Sequence, residues 1–153
     1  LLREQISIRD MVTILETLAD YGKITHDTDL LTEYVRQRLS GYITGKYVED
    51  GNRLNVVTLD NSVEEAIMNS ITKTETGSYL SLEPSVAQRI LNNTLRAVKR
   101  LTNAGEQPIV LTAPIVRLYF KRLTEQLTRD LIVLSYNEID PAVEVKSVEV
   151  VSM

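Results

Sequence analysis

The chain has 153 residues, 43% of them hydrophobic, a formal net charge of -4 and a pI near 5.1, which suits one compact globular domain or two small ones. It contains no cysteine, so disulfides, thiolate zinc sites, iron–sulfur clusters and cysteine nucleophiles are excluded and a reducing compartment fits. The acidic balance argues against a dedicated nucleic-acid binder, and apolar runs of only a few residues leave no membrane span and no signal peptide to read.

Charge divides the chain. Residues 1–50 carry six Lys/Arg against nine Asp/Glu, and residues 51–153 carry eleven against twelve, which points to two regions. Leu1 to Glu4 reads as the tail of an earlier helix, so the chain is expected to begin inside a domain. Ile8, Met11, Val12, Leu15, Leu18 and Ala19 recur at helical spacing and predict an amphipathic helix with that stripe inward. Ser7 with Asp10 resembles a capping box, Gly22 supplies the stop, and Ile14 and Tyr21 add apolar surface off the stripe. A second helix is predicted from about Leu30 to Tyr42, capped by Asp27, Thr28 or Asp29, with Leu31, Tyr34, Val35 and Leu39 inward and Gly41 near its end. The polar stretch Gly45 to Arg53 is the candidate boundary.

Beyond it the period changes. Leu54 to Leu59 reads as a strand, and Asn61 or Ser62 starts a helix carrying Val63, Ala66, Ile67 and Ile71. Thr72 to Ser78 reads as loop, and Tyr79 to Leu82 as a short extended piece. Pro84 and Gly105 bracket a long helix with Val86, Ile90, Leu91, Leu95, Val98 and Leu101 on its buried side. Pro108 to Leu123 and Leu131 to Ile139 read as strand, proline-started helix with a basic face, and strand ending in a polar turn. Val143 to Val151 alternates as a final edge strand, expected antiparallel. The fold class is therefore α/β: a helical segment, residues 1–47, followed by a small layered α/β domain, residues 48–153, with a mostly parallel sheet.

Catalytic sets are not found. The one histidine, His26, falls in a loop with no evident partner for metal binding or general-base chemistry and is expected at the surface. No GxGxxG, GxxxxGK[ST] or GxSxG occurs. Arg96, Lys99 and Arg100, and Arg117, Lys121 and Arg122, form two basic clusters that serve either an acidic partner or phosphate, or simply a solvated helix face. Ser135-Tyr-Asn-Glu138 closes a strand where α/β folds bind ligands, and equally where such residues only make turns. A small-molecule or nucleotide-binding α/β domain, and a basic module for RNA or acidic lipid, stay open as alternatives.

Ile8-Arg-Asp-Met-Val-Thr-Ile-Leu-Glu-Thr-Leu-Ala-Asp-Tyr21, Asp29-Leu-Leu-Thr-Glu-Tyr-Val-Arg-Gln37 and Leu134-Ser-Tyr-Asn-Glu-Ile139 with the preceding strand–proline–helix resemble the C-terminal cytoplasmic part of the FlhA family of flagellar and virulence type III export gates. The match runs in order along nearly the whole chain. This chain departs from the family pattern at Leu118, where proline commonly follows the arginine of Pro-x-x-Arg, and at Ala113, where serine is frequent, so the expected N-cap hydrogen bond is lost or moved to Thr112.

The resemblance implies no enzyme and no cofactor. It implies a protein-export role, in which a membrane-anchored gate carries a cytoplasmic nine-membered ring beneath the pore that receives chaperone–substrate complexes and soluble export components. The chain would hold much of a helical third subdomain and a whole α/β fourth, in the cytoplasm, with membrane attachment through a preceding region. Contact with neighbouring copies or cargo is expected at Arg9, Asp10, Glu33, Arg36, Arg117, Lys121, Arg122, Asn137 and Glu138. Glu33 paired with Arg36 or Gln37 within one helix is the alternative reading of those charges.

Overall fold

The computed structural model describes residues 1–48, 52–75 and 77–153. Three helices come first: α1 (Met11–Tyr21), α2 (Thr28–Arg38) and α3 (Ser40–Tyr47). Asp10 caps α1 by accepting the Thr13 N–H at 3.1 Å, while Ser7 accepts only from Arg9, so aspartate and not serine starts this helix. Asp27 caps α2 by accepting from Asp29 at 3.0 Å. The second helix ends earlier than its hydrophobic pattern suggests: Leu39, at φ -92 and ψ 14, breaks the chain into α2 and α3, and Gly41 and Gly45 lie inside α3. Of the proposed boundary stretch, residues 49–51 fall outside the described residues.

The α/β portion follows as β1 (Arg53–Leu59), α4 (Asn61–Asn69), β2 (Ile71–Thr74), β3 (Gly77–Leu80), α5 (Pro84–Asn103), β4 (Ile109–Thr112), α6 (Pro114–Glu125), β5 (Ile132–Ser135) and β6 (Glu144–Val151). One sheet has the order β5-β4-β1-β6, with every neighbouring pair parallel. The last strand thus lies at an edge as its alternation predicts, but it runs parallel to β1, pairing Arg53 with Glu144 through Leu59 with Val151. Alternation fixes which side chains share a face and carries no information on direction. Direction is set by residues 136–143, which return the chain to the start of β1.

The expected loop from Thr72 to Ser78 is instead largely hairpin, β2 and β3 pairing antiparallel with Thr74 opposite Gly77. Ile71 belongs to that hairpin and not to α4. Threonines favour a pleated strand over an unstructured loop, and Gly77 takes φ 147, a conformation other residues rarely adopt. α5 ends as its punctuation predicts: Gly105 at φ 84 follows it, with Glu106 N–H donating back to Leu101 O at 3.2 Å.

Both faces of the sheet are covered. Val57, Val110 and Val133 point into a cluster with Val63 and Ile67 of α4, Ile90 and Leu101 of α5, and Val116 and Phe120 of α6. Leu54, Val56, Ile109, Leu111 and Leu134 point the other way, onto Ile14, Val35, Leu39 and Ile43 of the N-terminal helices. Residues 1–47 and 48–153, expected as two subdomains, meet in that second cluster. Helices on both faces explain the near-continuous apolar runs of the central strands β1 and β4 and of the edge strand β5.

Candidate interaction site

Beneath the N-terminal helices lies a cluster of five charged side chains, each delivered by a different turn of chain. Glu4 comes from a 3-10 turn at Leu2–Glu4, Glu33 and Arg36 from successive turns of α2, Arg117 from the first turn of α6, and Glu138 from a 3-10 turn at Tyr136–Glu138. Arg117 is fully buried and uses all five of its N–H donors. It meets Glu33 at 2.6 and 3.0 Å, Glu4 at 2.8 and 3.1 Å, and the Val133 carbonyl at 3.1 Å. Arg36 forks onto Glu138 through Nε and Nη2, each at 2.8 Å. Thr44 of α3 donates to the Glu138 carbonyl and accepts the Asp140 N–H at 3.2 Å, fixing the turn that presents Glu138.

The carboxylates feel this arrangement differently. Burial raises the Glu4 carboxyl, but hydrogen bonds from Arg117 and the charges of Arg117, Arg36 and Lys121 outweigh it and hold Glu4 below the ordinary range. Glu33 ends above its ordinary value because burial, aided by the Glu138 charge, exceeds the pull of Arg117 and Arg36. Burial likewise depresses the Lys121 ammonium against the attraction of Glu4 and Glu125. That ammonium donates to the Leu131 carbonyl at 2.6 Å.

These contacts redistribute the residues expected to face neighbours or cargo. Arg36, Arg117, Lys121 and Glu138 are buried and hold the chain to itself, so a surface role for them is corrected. Glu33 is half-buried and engaged by Arg117; its in-helix approach to Arg36 is only 3.9 Å, so the expected pairing within α2 is the minor contact. Arg9 and Asn137 are exposed, Asp10 is exposed and serves as the cap of α1, and Arg122 is exposed and pairs with Asp29 at 2.7 Å. With Arg117 and Lys121 inside, the two basic clusters do not make one surface, and the basic-module reading for RNA or lipid loses its footprint. Arg96, Lys99 and Arg100 remain exposed on α5.

Sequence reasoning missed this cluster because it assigns arginines on a helix to solvent. One signal was present: Arg117, Phe120, Lys121 and Thr124 fall at i, i+3, i+4 and i+7, one continuous stripe, and all four are buried. At the helix start, Thr112 does not cap α6; Ala113 stands at the N-cap position, and the Glu64 carboxylate accepts the Ala113 N–H at 3.1 Å. The helix thus has no side-chain cap, and Glu64 instead satisfies the N–H of the N-cap residue with an acid at the positive end of a proline-started helix.

The second feature is what stays uncovered. Met11, Val12, Leu15 and Leu18, the stripe expected inward, are 44%, 67%, 58% and 37% exposed, with Ile8 at 40% beside them. α1 packs through Ile14 and Thr17 instead, and Tyr21 stacks on Tyr34 of α2 with ring centroids 4.0 Å apart. A contiguous apolar helix face in water marks an interaction surface. A broad groove also runs between α2, the β2–β3 hairpin and α6, floored by Tyr34, Ile71, Leu118 and Tyr119 and including the exposed His26. Thr112 and Ser135 are buried at the strand ends, and the groove does not include them. Among the described residues no group of His, Cys, Asp and Glu is arranged to hold a metal ion, and no helix is long and apolar enough to cross a membrane.

A parallel sheet covered on both faces, with a buried ionic clamp and a bare apolar helix face, makes this an α/β domain. The profile of the FHIPEP family matches residues 1–144, and the chain belongs to that family. It is 48% identical to the flagellar biosynthesis protein FlhA of Bacillus subtilis over 153 residues, all of this chain and 23% of that protein. Among solved structures it is similar to Chlamydia pneumoniae CdsV, at a TM-score of 0.91 and 38% identity over 99% of this chain and 43% of that one. It is similar at 0.89 and 38% identity to the CdsV chain solved in complex with CdsO, over 99% of this chain and 44% of that one. The nonameric EscV cytosolic domain from the type III secretion system aligns at 0.79 and 32% identity, over 99% of this chain and 45% of that one. The chain thus spans about a quarter of the length of its curated relative and under half of the solved chains.

Proposed function

We propose that this chain is part of the cytoplasmic region of a flagellar type III export gate, a non-enzymatic ring platform that receives chaperone–substrate complexes. The carrying observation is the α1 stripe of Met11, Val12, Leu15 and Leu18, which this chain leaves bare, as contiguous apolar faces at interaction surfaces are. Nonameric assembly of the EscV domain supports a ring of copies, and the CdsV complex with CdsO supports a soluble partner. Through α1 the chain joins the rest of that assembly. The clamp beneath holds α2 and α6 in one orientation, so the joint transmits position instead of flexing. Residues 1–47 act as a helical subdomain and residues 48–153 as an α/β one. Membrane attachment belongs to a preceding region.

The test is Val12→Asp with Leu15→Asp, made in this chain and in the whole cytoplasmic region, read by native mass spectrometry and by export in cells. The expected result is an unchanged monomer fold in the short chain and lost assembly and export in the long one. Normal rings and normal export would sink the proposal. A long variant that unfolds would place the stripe in the region's own core.

A further inference from the structure

The outer face of α5 carries one sign of charge. Its 20 residues include Arg89, Arg96, Lys99 and Arg100 and no acid, in a chain whose net charge is -4. All four cations are exposed, while Ile90, Leu91, Ala97 and Leu101 are buried against the sheet. At 3.6 residues per turn Arg89, Arg96 and Arg100 fall within about 40° of one another, in a line about 16 Å long.

The fold neutralises little of this charge. Arg100 pairs with Glu149 at 3.2 Å, yet its side chain stays 63% exposed. Arg96 donates to Asn93 Oδ1 at 2.8 Å, a neutral acceptor. The Arg89 and Lys99 side chains have no ion pair or hydrogen bond among the described residues. A helix face that needs only solvation gains from mixed signs at i,i+4, whereas Arg96 and Arg100 place like charges at that spacing. Asn93, Arg96 and Arg100 also border a hollow of about 240 Å³ lined on its other side by residues 150–153. Val150 and Met153 are exposed there, so apolar contact is on offer beside the charges.

The occupant must be anionic, and its kind follows from the surroundings. RNA or an anionic membrane meets the repulsion of a net-acidic chain and finds no aromatic ring on α5 against which a base could stack. A short run of Asp and Glu matches the length of the arginine line and forms forked pairs with guanidinium groups.

We propose that the outer face of α5, with the hollow beside it, docks an acidic segment of a partner protein whose carboxylates meet Arg89, Arg96 and Arg100. Charge steers the encounter, so the contact is fast and salt-sensitive. α5 covers the sheet face opposite the N-terminal helices, so the partner leaves the α1 stripe free. The assignment does not rest on the export-gate reading.

The probe is a fluorescein-labelled oligoglutamate of about twelve residues, enough to span the arginine line, titrated with this chain and followed by fluorescence anisotropy. Saturable binding at low salt is expected, weakening about tenfold at physiological salt. Affinity should fall about tenfold in R89S/R96S/R100S, whose exposed positions leave folding intact. It should hold within about twofold in K23S/R53S/R129S, which removes the same charge from exposed positions elsewhere. Amide NMR shifts on binding should concentrate on α5 and residues 150–153. No saturable binding, equal loss in the two triple variants, or shifts confined to another surface would overturn the assignment. So would tighter binding to oligouridine or to phosphatidylserine vesicles than to the peptide.

Discussion

Arg36 and Glu138 stand 102 positions apart in sequence and meet as a buried fork, two N–H···O bonds of 2.8 Å between side chains that are each 2% exposed. Such a pair contributes little net stability, because removing two ions from water offsets most of their attraction, but losing one partner strands the other. Arg36→Met and Glu138→Met should each cost about 3–5 kcal/mol in urea unfolding, whereas Arg36→Met combined with Glu138→Leu should recover most of that loss. A double variant no better than the singles would mean the pair contributes more than geometry.

Acid should act on the clamp in two steps. Glu33, raised in the folded state, contributes stability that is complete below its unfolded pKa and is lost as pH rises through its folded value, so acidification through Glu33 is stabilising. Glu4, depressed in the folded state, contributes stability present above its unfolded pKa and lost as pH falls through its folded value. Unfolding free energy should therefore hold through the start of carboxylate titration and fall below the ordinary Glu range. Glu4→Gln should be less stable at neutral pH and lose less on further acidification. Carboxyl carbon NMR should show Glu33 protonating before Glu4, and the reverse order would refute the scheme.

The two faces of α1 should separate cleanly. Ile14→Ala removes a side chain that is 7% exposed and should cost about 2–5 kcal/mol. Leu15→Ser, one position on, should change the stability of this chain by no more than about 0.5 kcal/mol. Chemical denaturation of both variants side by side checks this.

At the end of α5, Gly105→Ala places a Cβ on a residue at φ 84 and should cost about 1 kcal/mol, with no change in the slope of unfolding against denaturant. At the surface, Arg122→Ser breaks a 2.7 Å pair with Asp29 whose side chains are 46% and 38% exposed. Solvent screening limits that loss to about 1 kcal/mol or less.

Much of the architecture was legible because it follows local rules. Pro84 and Pro114 start helices, Gly105 follows one, and the apolar runs of β1, β4 and β5 become the buried strands of a parallel sheet. The misses share a cause. The β2–β3 hairpin needs two short segments to find each other, the direction of β6 needs the path of residues 136–143, and the break at Leu39 needs the packing of α3 on the sheet. The hairpin lies within residues 71–80, but strands of four residues are too short to show a period, and the other two depend on contacts far along the chain.

The candidate site was legible as residue types but not as a place. Arg36, Arg117 and Glu138 are expected from the sequence to face neighbours or cargo, and the fold buries all three. A helical arginine reads as solvent-facing unless its counter-ion is known, and Glu4 and Glu138 lie 113 and 102 positions from the arginines they satisfy.

The amino-acid sequence by itself determined that the chain is an α/β protein, that α1 is amphipathic, and that its ordered motifs belong to an export-gate family. Periodicity, punctuation and composition act over one element and need no partner. Only the tertiary structure decided which apolar stripe is core and which is bare, and which charges are clamp and which are rim. Burial and ion pairing depend on what lies across space, and that is set when both faces of the sheet close.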